Sequence, residues 1–307
     1  MLKNLKIGIP ELILLLITLC VYTHTLHFDF FIFDDAYHLA EDPNIYAVTS
    51  WKNLALVWKN TYMPVMYNFW QIMILFFGQD NTVAYRLALI LTHAINALFI
   101  FSICKTLLSY TITQFNKQKI EIAAFIGTLV FIIHPTQVES LLWVSSMKGV
   151  LSTFFALIAI LIHLNIRKGN NYTGSKIAIL FFYALSILTK PSSALLPFIL
   201  ILFDYYIYNM RFKEALKENK YVFLFIIPFA SIYFINSDKN NIIYVTTIWQ
   251  KFIIFFHSNI FYLKKIFYPF QHTLDYGNSI LNILGKYNTT KDILILITKF
   301  ILTIGSG

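Results

Sequence analysis

Long apolar runs recur along this chain, many close to the roughly 20 residues that an α-helix needs to cross a bilayer. No other property restricts the fold so tightly, because a backbone in lipid must satisfy its own hydrogen bonds within helices or a closed barrel. The runs are continuously apolar, without the period-two alternation of a membrane barrel, so helices are expected. A soluble alternative fails for want of polar surface. With 58% hydrophobic and only 13% charged residues among 307, too little polar material remains to coat a water-exposed domain. The expected fold class is an all-α polytopic membrane protein.

Charge at the ends of the runs gives their direction. Lys3 and Lys6 precede a first span over residues 7–26 and place its start in the cytoplasm. No small-x-small cleavage pattern closes this segment, so it reads as an uncleaved signal-anchor. A long loop, residues 27–85, follows with net charge −4, which suits the basic-poor extracytoplasmic side. Within it, Thr49 or Ser50 can cap a short helix with Trp51, Leu54, Ala55 and Trp58 on one face, an arrangement suited to the membrane interface. Residues 67–77 are expected to lie similarly. Further spans fall at residues 86–108, 122–133, 150–166, 177–188, 194–208 and 221–235. Residues 249–270, interrupted by Lys264 and Lys265, read as either an eighth span or a partly interfacial segment, and 292–304 as a short apolar stretch, for about 8–9 spans. Lys and Arg concentrate in every second loop, so Asp34-Asp35, His134-Pro135 and Lys190-Pro191 share the outer side. Residues 1–307 read as a single transmembrane domain, in which Gly305-Ser306-Gly307 cuts a helix short.

The net charge of +9 clusters in the short loops, so it reflects orientation in a membrane rather than affinity for nucleic acid. Cys20 and Cys104 both fall inside spans and imply no disulfide framework. The sequence has no phosphate-cradling glycine loop, no serine-nucleophile elbow and no His/Cys cluster with metal-ligand spacing. Nucleotide-dependent, esterase and zinc chemistries therefore lack their usual carriers.

What remains is a set of ionisable residues at span ends. Asp34-Asp35, flanked by Phe28, Phe30, Phe31, Phe33 and Tyr37, stand where lipid, water and an aqueous substrate meet. Adjacent acids in that place are either solvated loop residues or a base that accepts a hydroxyl proton during attack on a sugar. His134-Pro135 breaks the third span, and Glu139 and Lys148 follow on either side of Trp143. They form either a structural turn with an ion pair at the headgroups or a polar cluster that holds a phosphate or an acceptor. Glu139 and Trp143 share a face if that segment is helical. Lys190 and Arg86 either snorkel to the interface or meet a lipid phosphate. His93 and Asn96, inside the second span, read as packing or helix–helix hydrogen-bonding groups rather than metal ligands.

Several of these segments, taken in order, resemble one family. Phe33-Asp34-Asp35-Ala36-Tyr37 is followed by Asp42-Pro43-Asn44-Ile45, then by Tyr85-Arg86-Leu87 through His93-Ala94-Ile95-Asn96-Ala97-Leu98. His134-Pro135-Thr136-Gln137-Val138-Glu139-Ser140 leads to Trp143 and Lys148; Leu188-Thr189-Lys190-Pro191, Phe203-Asp204-Tyr205 and Tyr262-Leu263-Lys264-Lys265 come after. Together they are similar to the transmembrane and tetratricopeptide-repeat-containing (TMTC-like) proteins.

The resemblance implies a GT-C-type glycosyltransferase bundle. Such an enzyme moves a sugar, for instance the hexose mannose, from a polyprenyl-phosphate carrier to an acceptor hydroxyl such as a protein Ser or Thr. Transfer takes place on the extracytoplasmic or luminal side, in a bacterial plasma membrane or the endoplasmic reticulum. By position, the resemblance makes Asp34 or Asp35 the base and assigns Arg86, Lys148 and Lys190 to the carrier phosphate. It gives His134 and Glu139 supporting roles, requires no cofactor and admits a divalent cation. Two positions depart: Met147 stands where members often carry Arg, and Gly149 where they often carry Asp. The repeats usual after the membrane module are not in this sequence. The competing expectations are a transporter or lipid-handling protein, and an inactive relative that serves as a membrane partner. A transporter should carry ionisable groups near mid-bilayer, whereas here they sit at span ends.

Overall fold

The computed structural model describes residues 8–31, 34–35, 63–170, 173–224, 226, 229, 247–270, 279–287, 295–296 and 298. The interfacial helix expected over residues 51–58, and most of the spans expected over 221–235 and 292–304, lie outside them. Every regular element among the described residues is helical. The chain groups into two compact units, Met1–Ile133 with Gln137–Ser237, and His134–Thr136 with Asp238–Gly307.

In the first unit, helix α1 (Ile9–Tyr22) starts where the Gly8 N–H donates to Glu11 Oε2 at 3.1 Å and Pro10 fills the first turn. Proline is tolerated there because a first-turn N–H has no helical partner anyway. Helix α2 (Pro64–Phe77) begins in the same way and stops at Gly78, whose φ of +82° only glycine adopts without strain. Helix α3 (Thr82–Thr111) runs 30 residues from an Asn81 side chain that accepts the Ala84 N–H. Helices α4 (Lys117–Ile133) and α5 (Thr136–Leu142) meet at Pro135 with a 58° bend. A 3-10 turn, Val144–Ser146, leads into α6 (Met147–Arg167). Helix α7 (Ser175–Thr189) ends because Lys190, preceding a proline, is held extended at φ −153°, ψ 127°. A second 3-10 turn, Pro191–Leu195, then opens α8 (Leu196–Tyr206), and α9 (Phe212–Phe223) follows.

Helix α6 packs chiefly against α7 and α3, and α1 against α3 and α4. Leu14, Trp70, Leu89, Phe101 and Ile132 centre one apolar cluster; Ile160, Tyr183, Leu200 and Val222 centre another. The outside is apolar too. Helix α4 exposes Ile122, Ile126, Val130 and Ile133 while burying Ala124 and Thr128. The inward face also carries Ile132, and an outer face of large apolar side chains is the mark of a helix in lipid. At one end of this bundle Lys105 joins Glu11 (3.4 Å) and Glu121 (3.7 Å). Toward the other end the Tyr22 hydroxyl donates to the Ile132 carbonyl at 2.7 Å.

Among the described residues three helical stretches are long and apolar enough to cross a membrane: Ile9–His27, Thr82–Thr111 and Val144–Arg167. The bent pair α4–α5 makes a fourth if it counts as one span. The membrane-helix class stands, but the helices of membrane length among the described residues do not support the 8–9 spans expected. The 15 residues of α7 rise about 23 Å, against a hydrocarbon core of about 30 Å. Hydropathy overcounts here because a helix buried among other helices is as apolar as one crossing lipid. Helix α2 was expected at the interface, yet Met66, Trp70 and Gln71 are fully buried and it packs against α7, α3 and α6.

In the second unit, α10 (Ile248–Phe267) is capped by Thr247 and Gln250. It packs on α11 (Ile280–Gly285) through Ile253, Ile260 and Ile283. Despite its 20 residues α10 is not among the membrane-length apolar helices. Lys251, Lys264 and Lys265 interrupt it.

Candidate functional site

The two adjacent carboxylates of the first loop have opposite surroundings. Asp35 is fully buried. Its Oδ2 accepts the N–H groups of Phe31 (3.2 Å) and Val144 (3.2 Å), and its Oδ1 accepts that of Ser145 at 2.7 Å. Val144 and Ser145 begin the 3-10 turn before α6, where backbone donors have no helical partner. Asp35 thus caps the start of α6 from a different part of the chain, and its acceptor sites are engaged in doing so.

Arg86 completes the same joint. Its side chain is fully buried. Nε donates to the Phe28 carbonyl (2.9 Å), one terminal nitrogen to that of Asp29 (2.6 Å) and the other to that of Leu142 (2.6 Å). The guanidinium also lies 5.8 Å from the ring centre of Phe28 and 5.7 Å from that of Phe31, which stacks on Trp143. Phe28 and Phe31, from the aromatic run beside the acids, therefore flank the arginine. A planar fork of donors can hold three carbonyls in fixed directions. Arg86, expected on a carrier phosphate, is occupied with backbone that it locks to the Asp35 joint.

Asp34 points the other way. Its side chain is 60% exposed and lies 3.8 Å from Lys148 Nζ. Lys148 sits in the first turn of α6, one residue before Gly149. Lys190 comes to the same place from the end of α7, close enough for the two ammonium charges to repel. Lys190 Nζ lies 3.5 Å from where a Cβ on Gly149 would stand, an ordinary contact distance. Asp34, Asp35, Arg86, Lys148 and Lys190 together carry a net charge of +1.

Behind this group opens a cavity of about 520 Å³ walled by α3, α4, α5, α6, the Pro191–Leu195 turn and α8. Gly149, Lys190, Gln137, Ser140 and Ser192 line it together with Ala156, Leu157, Ile160 and Ile199. Along α6 the lining runs from Gly149 to Ile160, a rise of about 16 Å. One end is cationic and polar, the other apolar. Such a shape suits an amphiphile with an anionic headgroup.

The remaining expected residues lie elsewhere. His134 belongs to the second unit. Its Nε2 bonds the Ile266 carbonyl at 2.9 Å, which requires the proton on Nε2, and Nδ1 accepts the Thr136 N–H at 3.2 Å. Glu139 is exposed on α5 and has no ion pair among the described residues. Trp143 lies past the end of that helix, so the face it was expected to share with Glu139 does not form. His93 and Asn96 do make a helix–helix contact, through Asn96 Nδ2 donating to the Val150 carbonyl at 2.9 Å. They also line the cavity, which the sequence did not indicate. Ser145, Ser152 and Ser192 were missed as well, since an isolated serine in an apolar chain carries no signal of what faces it. Among the described residues no cluster of His, Cys, Asp or Glu could hold a metal ion.

No protein-family model, characterised protein or solved structure matches this chain.

Proposed function

We propose that this protein is a membrane glycosyltransferase of the GT-C type, similar in its membrane module to the TMTC-like proteins. It moves a hexose from a polyprenyl-phosphate carrier to an acceptor hydroxyl on the extracytoplasmic side. The observation that carries the reading is the exposed Asp34 carboxylate, 3.8 Å from Lys148, beside a cavity with Lys190 at one end and an apolar interior.

In this reaction the Asp34 carboxylate accepts the proton of the acceptor hydroxyl as its oxygen attacks the anomeric carbon. The bond from that carbon to the phosphate oxygen breaks, and polyprenyl phosphate leaves with the electron pair. Lys148 and Lys190 stabilise the charge that develops on the phosphate. Asp35 and Arg86 are positioning residues, which hold the loop bearing Asp34 against the start of the helix bearing Lys148. The apolar part of the cavity receives the first isoprene units of the carrier.

The lack of a carboxylate at Gly149, and the open setting of Asp34, favour a second reading. In it the same cavity binds a phosphorylated lipid without transferring a sugar. One experiment separates the two. Membranes with wild-type or Asp34→Asn protein are supplied with labelled polyprenyl-phosphate hexose, and both transfer and carrier binding are measured. The transferase reading expects transfer to fall by about 10²–10⁴-fold, the usual worth of a general base, with binding retained. Equal transfer by wild type and variant overturns the assigned base; binding with no transfer by either establishes the lipid-handling reading.

A further inference from the structure

The polar lining of the cavity is mostly committed to the protein itself. Ser152 Oγ donates to the Ser186 carbonyl at 2.9 Å and also meets Ser193 Oγ. Thr153 Oγ1 donates to the Gly149 carbonyl at 2.9 Å. Two atoms are not committed. Asn96 Oδ1 and His93 Nε2 are buried without a hydrogen-bond partner. Both residues line the cavity, and their exposures are 1% and 2%.

An unpaired buried polar atom costs on the order of 1–3 kcal/mol, so two on one helix face need a reason. The arrangement is rigid. Asn96 is fixed by its other amide atom on the Val150 carbonyl. The His93 ring is stacked 5.0 Å from Phe131 and edge-on to Tyr22 at 5.8 Å. Three residues apart on α3, the two side chains face the same way.

The chemistry of the two atoms selects a ligand. Asn96 Oδ1 can only accept, and so rejects an anion. His93 Nε2 donates or accepts according to its tautomer. An acceptor beside an ambivalent nitrogen fits neighbouring hydroxyls, each of which donates and accepts. The anionic part of the same ligand belongs at Lys190, on the cationic lining of the cavity. We infer that His93 and Asn96 form a hydroxyl-binding subsite that recognises the sugar of a lipid-phosphate sugar. This rests on the carrier-binding reading above and adds the residues that read its sugar.

The test uses the full chain in detergent micelles and two probes, polyprenyl phosphate and mannosyl- or glucosyl-phosphate polyprenol, with binding measured for each. His93→Phe keeps the ring on Phe131 and removes the nitrogens; Asn96→Leu keeps the side-chain shape, removes the acceptor oxygen and serves as a second variant. His93→Phe is expected to weaken the sugar-bearing probe about 5- to 10-fold, the worth of one hydrogen bond, and to leave the sugar-free probe unchanged. Lys190→Ala should weaken both probes alike. If His93→Phe and Asn96→Leu bind both probes as wild type does, neither atom contacts the sugar and the subsite is overturned, while the carrier site stands. If wild type binds neither probe, the carrier reading itself fails and the subsite with it.

Discussion

Asp34 and Asp35 are neighbours of the same type, yet their substitution by Asn should give opposite results. In Asp35→Asn one oxygen can still accept the Phe31 and Val144 N–H groups. The new NH₂ must then face the Ser145 N–H, which now approaches Asp35 Oδ1 at 2.7 Å. One charge-assisted bond becomes a donor–donor clash, and the other two lose the assistance of charge. At about 1.5–3 kcal/mol for a bond to a charged acceptor and 1–3 for a donor left unpaired, the loss comes to about 3–5 kcal/mol. Asp34→Asn gives up only a partly exposed pair with Lys148, worth about 0–1 kcal/mol. By the scaling for soluble domains of 150–250 residues, each kcal/mol moves Tm by about 2–4 °C. Thermal unfolding in detergent should therefore show Asp35→Asn about 6–20 °C below wild type and Asp34→Asn within about 4 °C. An Asp35→Asn protein as stable as wild type would refute the capping assignment. Equal losses for both variants would refute the division of labour between them.

Arg86→Lys keeps the charge, but one ammonium cannot reach the carbonyls of Phe28, Asp29 and Leu142 together; thermal unfolding should show a loss of about 2–4 kcal/mol. At the other end of α6, Asp204 is fully buried with His163 Nε2 at 2.9 Å, Arg167 Nε at 2.7 Å and Asn219 Nδ2 at 2.7 Å. Asp204→Ala leaves the Arg167 guanidinium unpaired and should cost about 3–5 kcal/mol in the same measurement. Ser152 and Ser186 exchange hydrogen bonds between α6 and α7 at 2.9 and 2.7 Å. Ser152→Ala and Ser186→Ala each remove one bond to a backbone carbonyl and should each cost about 0.6 kcal/mol in the same measurement, as such bonds do inside membrane bundles; no loss in either variant would remove their role in joining the helices.

The ionisable residues that build the site stood out in the sequence because charge is scarce, and their position at span ends followed from the runs between them. Their division into frame and working groups did not. The partners of Arg86 are backbone carbonyls, one of them 56 positions away at Leu142, and a carbonyl leaves no trace in residue type. The same holds for Asp35, which binds three N–H groups, while Asp34 meets a side chain. Scarcity of charge thus marks a joint and a reactive group equally, since burying either demands a specific partner. Asn96 carries the point further. A helix–helix hydrogen bond was the reading its place in an apolar span invited, and Nδ2 makes one. A carboxamide has two ends, however, and satisfying the donor leaves the acceptor to be placed. Where that acceptor is buried against packed side chains it is a defect, and where it faces a cavity it is a demand for a ligand. Residue type shows that the group is present, and only the wall opposite shows which of the two it is. The test of His93 and Asn96 against a sugar-bearing lipid is therefore also a test of whether that wall has been read correctly.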